Sequence, residues 1–261
     1  ILHALCMKVC IYYALQFMPF SSTDNYPVRS LHDALYRQNI ETDIVPCDKM
    51  TDFSHYSMLV IPPLYVATDD LLTKIDAFVK NGGEVVMMFK SGFCNENSAV
   101  RPMKAPGPLR KACGFYYQEY SSIGDMDLKV NELGVTRKTA GTWTEFLIPE
   151  TAKPLAYINH PFFGKWPCIT ENAYGKGHLI YVATVPSDEL LAKVVERSAR
   201  RAEVLPFDGK YRFPIIMRNG MNAKGRKIHY IFNYSGGEKT IAYPFGASSS
   251  LLDGKKLTEN A

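Results

Sequence analysis

The stretch GGEVVMMFKSG, residues 82–92, decides how the chain is read. A Gly-Gly pair releases an apolar run of Val and Met, and the run stops at Lys90, Ser91 and Gly92. An unbroken apolar run between turn residues reads as a strand covered on both faces, the situation of a parallel sheet flanked by helices. The segment before it, TDDLLTKIDAFVKNGG (68–83), predicts the crossover helix that such a strand needs. Thr68 can cap it and Asp69 and Asp70 sit in its positive first turn. Leu71, Leu72, Ile75, Phe78 and Val79 form one stripe, and Gly82 or Gly83 supplies the left-handed stop.

Upstream, the same alternation recurs. YSMLVIPP (56–63) is a strand ended by its paired prolines, and TDIVPC (42–47) is another. Pro27 stands where a first helical turn tolerates it, and Val28, Leu31 and Leu35 follow at helical spacing up to Asn39. KVCIYYAL (8–15) is a β-branched and aromatic run that reads as the first strand. This β-α-β-β-α-β order with short connections predicts an α/β fold, a flavodoxin-like, mostly parallel sheet with helices on both faces.

Downstream the pattern is less regular. PGPLRKACG (106–114) carries a short helical pattern ending at Gly114, while FYYQEY, WTEFLIP and CITENAYGKGHLIYVAT read as strands, the last pair joined at Gly-Lys-Gly. VPSDELLAKVVERSARRA (185–202) predicts a final helix capped by Ser187, with Asp188 and Glu189 in its first turn and Leu190, Leu191, Val194 and Val195 on its core face. After about residue 204 the signals become all-β. RKIHYIFNYSGGEKTIAYPF alternates Ile228, Tyr230 and Phe232, predicts a turn near Gly236 and Gly237 and a return through Ile241 and Tyr243; LLDGKKL predicts a second turn. The expected organisation is an α/β domain over 1–203 and a small β-sandwich-like domain over 204–261.

Bulk properties narrow the functional classes. With 46% hydrophobic and 21% charged residues the composition is that of an ordinary globular chain, which excludes a disordered or fibrous one. The net charge of +4 is spread along the sequence, so no nucleic-acid partner is expected. No apolar run approaches the roughly 20 residues a bilayer span needs, and no membrane partner is expected. Cys6, Cys10, Cys47, Cys94, Cys113 and Cys168 contain no C-x-x-C pair and no zinc-ligand spacing, and read as reduced, buried thiols of a cytoplasmic protein.

Residues that might carry chemistry each have a plainer reading. In the class I glutamine amidotransferases a comparable strand delivers a cysteine into a C-x-G turn; here that turn is K-S-G, with Lys90 at the nucleophile position and Cys94 two residues beyond the glycine. Ser91 lacks a G-x-S-x-G frame. His3, His32, His55, His160, His178 and His229 are scattered without dyad or metal spacing and each reads as structural, with His178 the one candidate for an approach to the carboxyl end of the sheet. The Asp69–Asp70 and Asp188–Glu189 doublets are explained by helix dipoles. Trp143, Phe162, Phe163 and Trp166, three of them within HPFFGKWP (160–167), suit sugar stacking but suit core filling or a subunit contact better. No catalytic, cofactor-binding or metal-ligating residue is assigned, and no cofactor is expected.

The succession YSMLVIPPLYVATDDLLTKIDAFVKNGGEVVMMFKSG, PGPLRKACGF and AYGKGHLIYVAT resembles the trimerisation domain of the β-galactosidases of glycoside hydrolase family 42. HYIFNYSGGEKTIAYP with LLDGKKL is similar to the small β-domain that ends those enzymes. The resemblance implies a flavodoxin-like fold related to the amidotransferases with the nucleophile lost, so that the 82–92 corner is a relic. It implies a homotrimer and a galactoside substrate met only through an N-terminal (β/α)₈ barrel, which carries the catalytic glutamates and needs about 250 residues of its own. The chain is then expected to lack that barrel, to stop short of the last β-domain strands, and to be inactive alone. Two other readings compete: a free-standing amidotransferase-like hydrolase using Cys94 or Ser91, and a carbohydrate-binding module using the Trp143 and Trp166 region.

Overall fold

The computed structural model describes residues 3–4, 9–13, 26–46, 52–130, 132–135 and 139–258. Its elements in chain order are β1 (His3–Ala4), β2 (Val9–Tyr13), α1 (Tyr26–Tyr36), β3 (Thr42–Pro46), β4 (Met58–Ile61), α2 (Asp69–Lys80) and β5 (Glu84–Met88). Next come α3 (Arg110–Cys113), β6 (Phe115–Tyr116), β7 (Tyr120–Val130), β8 (Thr139–Glu145), β9 (Ile148–Pro149), β10 (Lys153–Ile158), β11 (Pro167–Tyr174), β12 (Gly177–Val182), β13 (Thr184–Pro186) and α4 (Asp188–Arg201). The last are β14 (Ile215–Met221), β15 (Lys227–Asn233), β16 (Ser248–Ser249) and β17 (Lys256–Leu257).

A ten-stranded sheet organises the α/β part, in the order β13-β8-β7-β10-β11-β12-β5-β4-β2-β3. From β12 to β3 all four neighbour pairings are parallel; from β13 to β12 all five are antiparallel. The expectation of a mostly parallel sheet is thereby corrected to a mixed one. The reason lies in the connections: β11 and β12 are joined by the predicted tight turn at Gly175 and Lys176, with Tyr174 opposite Gly177, and a tight turn can only join antiparallel strands.

β4, β5 and β12 are buried on both faces, as their apolar runs require. Met58 and Val60, Val86 and Met88, and Ile180 and Val182 face one core with Leu31 and Leu35 of α1 and Leu190, Leu191, Val194 and Val195 of α4. Leu59 and Ile61, Val85 and Met87, and Leu179 and Tyr181 face the other with Leu71, Leu72, Ile75 and Val79 of α2 and Ala112 and Cys113 of α3. Helices thus cover both faces. Each such side chain taken fully out of water contributes about 1.5–3 kcal/mol. The capping predictions hold: Thr68 Oγ1 accepts from the Leu71 amide and Ser187 Oγ from the Leu190 amide. Gly114 ends α3 in the left-handed region.

The 204–258 part departs from its reading. β15 pairs with β14, a strand that the alternation in PIIMRNGM was too weak to announce, and β14 pairs on its other side with β1. The predicted return through Ile241 and Tyr243 is not a strand; Ile241 packs instead on a small cluster of Tyr211, Ile215 and Met217. The turn at LLDGKKL is present, between β16 and β17. Of the first predicted strand, residues 8, 14 and 15 lie outside the described residues, as do Cys6, Cys47 and the side chains of His3 and Cys10.

Several side chains join the two regions, among them Glu41, Glu196 and Asn39. Asn39, buried and in the left-handed region at φ 65°, donates through Nδ2 to the carbonyls of Tyr211 (2.9 Å) and Ile215 (3.1 Å) and accepts from the Met217 amide (2.7 Å). Asn39→Ala strands three backbone groups and is expected to cost about 3 kcal/mol, at roughly 1 kcal/mol per buried group left unsatisfied. Hydrogen exchange will show this as faster exchange in β14 and β15 with β4 and β5 unchanged.

Candidate functional site

The parallel half delivers its strand ends to one edge, and there the 82–92 stretch makes its corner. Phe89 is buried and Lys90 turns into the left-handed region at φ 59°, a conformation that non-glycine residues adopt at a cost of about 1 kcal/mol or more. What holds it there is Glu145, at the end of β8, whose Oε1 accepts the Lys90 amide at 2.6 Å. Ser91 is fully buried: its hydroxyl donates to the Met88 carbonyl (2.7 Å) and accepts from the Leu64 amide (3.1 Å). Gly92 donates to the Leu64 carbonyl, and at φ 70° a Cβ there would lie 2.8 Å from the Pro106 carbonyl oxygen, so only glycine fits.

Glu145 is the functional-looking residue that sequence reasoning missed. It is 1% exposed, and its second oxygen accepts the Tyr181 hydroxyl at 2.8 Å. Burial raises its pKa to about 7, against the opposing hydrogen bonds from the Lys90 amide and the Tyr181 hydroxyl. WTEFLIP reads as a strand in sequence, but nothing in it says that the Glu faces a core; only the pairing of β8 into the sheet decides that.

Around the corner stands an aromatic wall. The Lys90 ammonium lies 4.0 Å from the centre of the Trp143 ring, Trp143 stacks on Tyr120 (4.5 Å), and Phe93 meets Tyr120 edge-on while stacking with Tyr65. Burial pulls the Lys90 pKa down, opposed by the nearby Glu145 charge. Trp143 is therefore separate from the 160–166 loop with which sequence grouped it. In that loop Phe163 and Trp166 stack on Phe146, while Phe162 stays 60% exposed.

The other candidates are structural. Cys94, Cys113 and Cys168 are buried and unpaired; burial pushes Cys168 up to about 12 and Cys113 higher still, so both remain thiols at neutral pH. The candidate approach of His178 to the carboxyl end of the sheet is corrected. It follows the turn that starts β12, so it sits at the strand's beginning opposite Glu84, with Nδ1 2.7 Å from the Glu84 carboxylate. His160 Nδ1 accepts the amides of Phe162 and Phe163, His229 Nδ1 lies 2.7 Å from the Asn219 amide oxygen, His32 stacks on Tyr36, and His55 is exposed. Asp69 pairs with Arg101 and Asp70 with Lys74, both at the start of α2. Among the described residues, no three His, Cys, Asp or Glu side chains gather as a metal site would need, and no helix is long and apolar enough to cross a membrane.

At the opposite edge of the sheet, Arg197 of α4 forks onto Glu171 with two 2.8 Å bonds, and Arg201 bridges Glu171 and Glu84. Although burial opposes the charge, these guanidiniums hold Glu171 at about 2. On the same edge a cleft of about 770 Å³ is lined by Asp52, Phe53, Tyr56, Lys74, Phe78 and Asn81.

The geometry defines an α/β protein with a strand-end turn packed shut over a buried carboxyl group. Residues 20–205 match the β-galactosidase trimerisation domain, and the chain belongs to that family. It is 31% identical over 224 residues to β-galactosidase LacA of Lactobacillus acidophilus, covering 85% of this chain and 33% of that protein. It is likewise 31% identical over 237 residues to β-galactosidase BgaB of Geobacillus sp., covering 87% and 34%. The crystal structure of the β-galactosidase from Bacillus circulans sp. alkalophilus superposes with a TM-score of 0.84 at 25% identity, over 97% of this chain and 39% of that one. The chain spans about a third of the length of the curated relatives it matches.

Two measurements check the corner. Glu145 binds its proton more tightly in the folded protein, at about 7 against 4.5 for the unbonded group, so it costs nothing below pH 4.5. As pH rises through that window the folded state loses up to about 3 kcal/mol, at 1.36 kcal/mol per unit. Glu145→Gln is expected to flatten this part of the stability–pH curve from denaturant melts. Iodoacetamide is expected to leave Cys94, Cys113 and Cys168 unmodified in native protein and to alkylate them once it is unfolded, which peptide mass mapping reads.

Proposed function

We propose that this chain is the non-catalytic assembly region of a β-galactosidase that hydrolyses terminal β-D-galactosides, and that it joins copies into a homotrimer. The observation that carries this reading is the match of residues 20–205 to the trimerisation domain, over the α/β part of the chain. The corner supports it from the chemical side. The position suited to a nucleophile holds Lys90, Ser91 has both its proton and an acceptor site committed, and Cys94 is buried.

In the same reading the parallel half is flavodoxin-like and amidotransferase-like. Renumbered in chain order, β3-β2-β4-β5-β12 gives the order 2-1-3-4-5, with helices on both faces. Residues 1–203 form the assembly domain and 204–261 a small β-domain. The galactoside is bound and cleaved on a separate barrel, and a threefold ring is closed by heterologous contacts between unlike surface patches. A cytoplasmic setting fits the unpaired Cys94, Cys113 and Cys168.

Light scattering after size exclusion tests the assembly role. Three times the mass of one chain is expected, and a monomer at tens of micromolar would overturn it. The purified chain is expected to release no galactose from a nitrophenyl galactoside.

A further inference from the structure

The cleft at the amino-terminal edge of the parallel strands has no part in the assembly role. Its volume of about 770 Å³ falls within the range of sites that hold small molecules. One side of its lining is aromatic. Phe53 is buried and meets Phe78 edge-on at 6.0 Å, and Tyr56 is fixed by the bond from its hydroxyl to the Asp43 carboxylate at 3.1 Å. The half-buried Phe78 ring is seated on the bare backbone of Gly83, where a Cβ would come 2.1 Å from the ring's Cε1. The other side is polar. Asp52 accepts from the Ser54 amide (2.9 Å) and hydroxyl (2.7 Å), bonds that hold its carboxyl below the usual range and keep it charged. Lys74 pairs with Asp70 at 3.3 Å, and the exposed Asn81 caps the carboxyl end of α2.

The charges in the cleft decide the class of ligand. An anion would meet the Asp52 carboxylate and the negative end of the α2 dipole. An organic cation would meet the Lys74 ammonium, which lines the same cleft. A neutral molecule that offers apolar C–H faces to aromatic rings and hydroxyls to planar polar groups suffers neither repulsion, and a pyranose sugar is such a molecule. We propose that this cleft is a non-catalytic binding site for a neutral mono- or disaccharide, with a sugar ring stacked on Phe78 and its hydroxyls bonded by Asp52 and Asn81. The ionised Asp52 carboxylate has about four acceptor positions, so two remain for sugar hydroxyls after the two bonds from Ser54. The Asn81 carboxamide supplies both a donor and an acceptor, which suits a pair of neighbouring hydroxyls. Because Phe78 is already seated on Gly83 and Tyr56 on Asp43, stacking takes apolar area out of water without first ordering these aromatic groups.

The test is an amide chemical-shift titration of the full chain, with lactose and maltose as the probes. Lactose comes first because of the β-galactosidase reading, on which only the choice of sugar rests. Saturable shifts in the millimolar range are expected at the amides of Ser54, Asn81, Gly82 and Gly83, with those of β14 and β15 unmoved. Asp52→Ala and Asn81→Ala, both at exposed positions, are each expected to raise the titration midpoint about fivefold or more through the loss of a hydrogen-bonding group. Binding of maltose without lactose would support the site while counting against the galactoside reading. The proposal is overturned if neither sugar shifts the cleft amides, or if both variants bind as well as the parent chain. It is equally overturned if phosphate or tetramethylammonium, titrated alone, shifts those amides at lower concentration than either sugar, since the cleft would then select for charge.

Discussion

The constraint on which the structure rests is that β4, β5 and β12 bury both faces. A strand in that position presents alternate side chains to two separate cores, and each core must be closed by its own helices. Val86 and Met88 complete one with α1 and α4, while Val85 and Met87 complete the other with α2 and α3. The short apolar runs therefore call for two helical layers, and the polar ends of the strands are pushed to the two edges of the sheet. Both edges carry buried glutamates, and the edges treat them differently.

At one edge Glu171 meets two guanidiniums, whose charge and hydrogen bonds overcome the penalty of burial and keep the group ionised. At the other, Glu145 accepts hydrogen bonds from the Lys90 amide and the Tyr181 hydroxyl, which are neutral donors. Burial then wins, and the carboxyl group titrates near neutrality. The first arrangement fastens α4 to the sheet. The second fixes a left-handed turn at a place where a related architecture would hold its nucleophile. A buried carboxyl group that clamps a backbone amide suits a corner kept for shape, which agrees with the assembly role proposed for the chain.

Much of this was legible in advance, and for local reasons. The stripe of Leu71, Leu72, Ile75 and Val79, the Thr68 and Ser187 caps and the acidic first turns are all set by neighbours within one helical turn, so α2 and α4 appear as read. The strands 56–63 and 82–92 are short, dense and bounded by Gly or Pro. The misreadings have equally definite causes. β7 is long and polar, and slips register against β8 between Ile123 and Met126, so it shows no clean alternation. β15 looked like half of a hairpin with the residues after Gly237, yet its partner is β14, upstream of it. The edge considered for His178 was the wrong one because its strand direction was not fixed by its own residues.

The amino-acid sequence by itself determined the helices, the doubly buried strands, the K-S-G turn and the resemblance that led to the family, because each depends on spacing along the chain. Only the tertiary structure decided that half of the sheet is antiparallel, that Glu145 reaches under Lys90, and that Asn39 ties α1 to β14. The physical reason is distance along the chain. Fifty-five residues separate Lys90 from Glu145 and 178 separate Asn39 from Met217, and periodicity carries no information over such gaps.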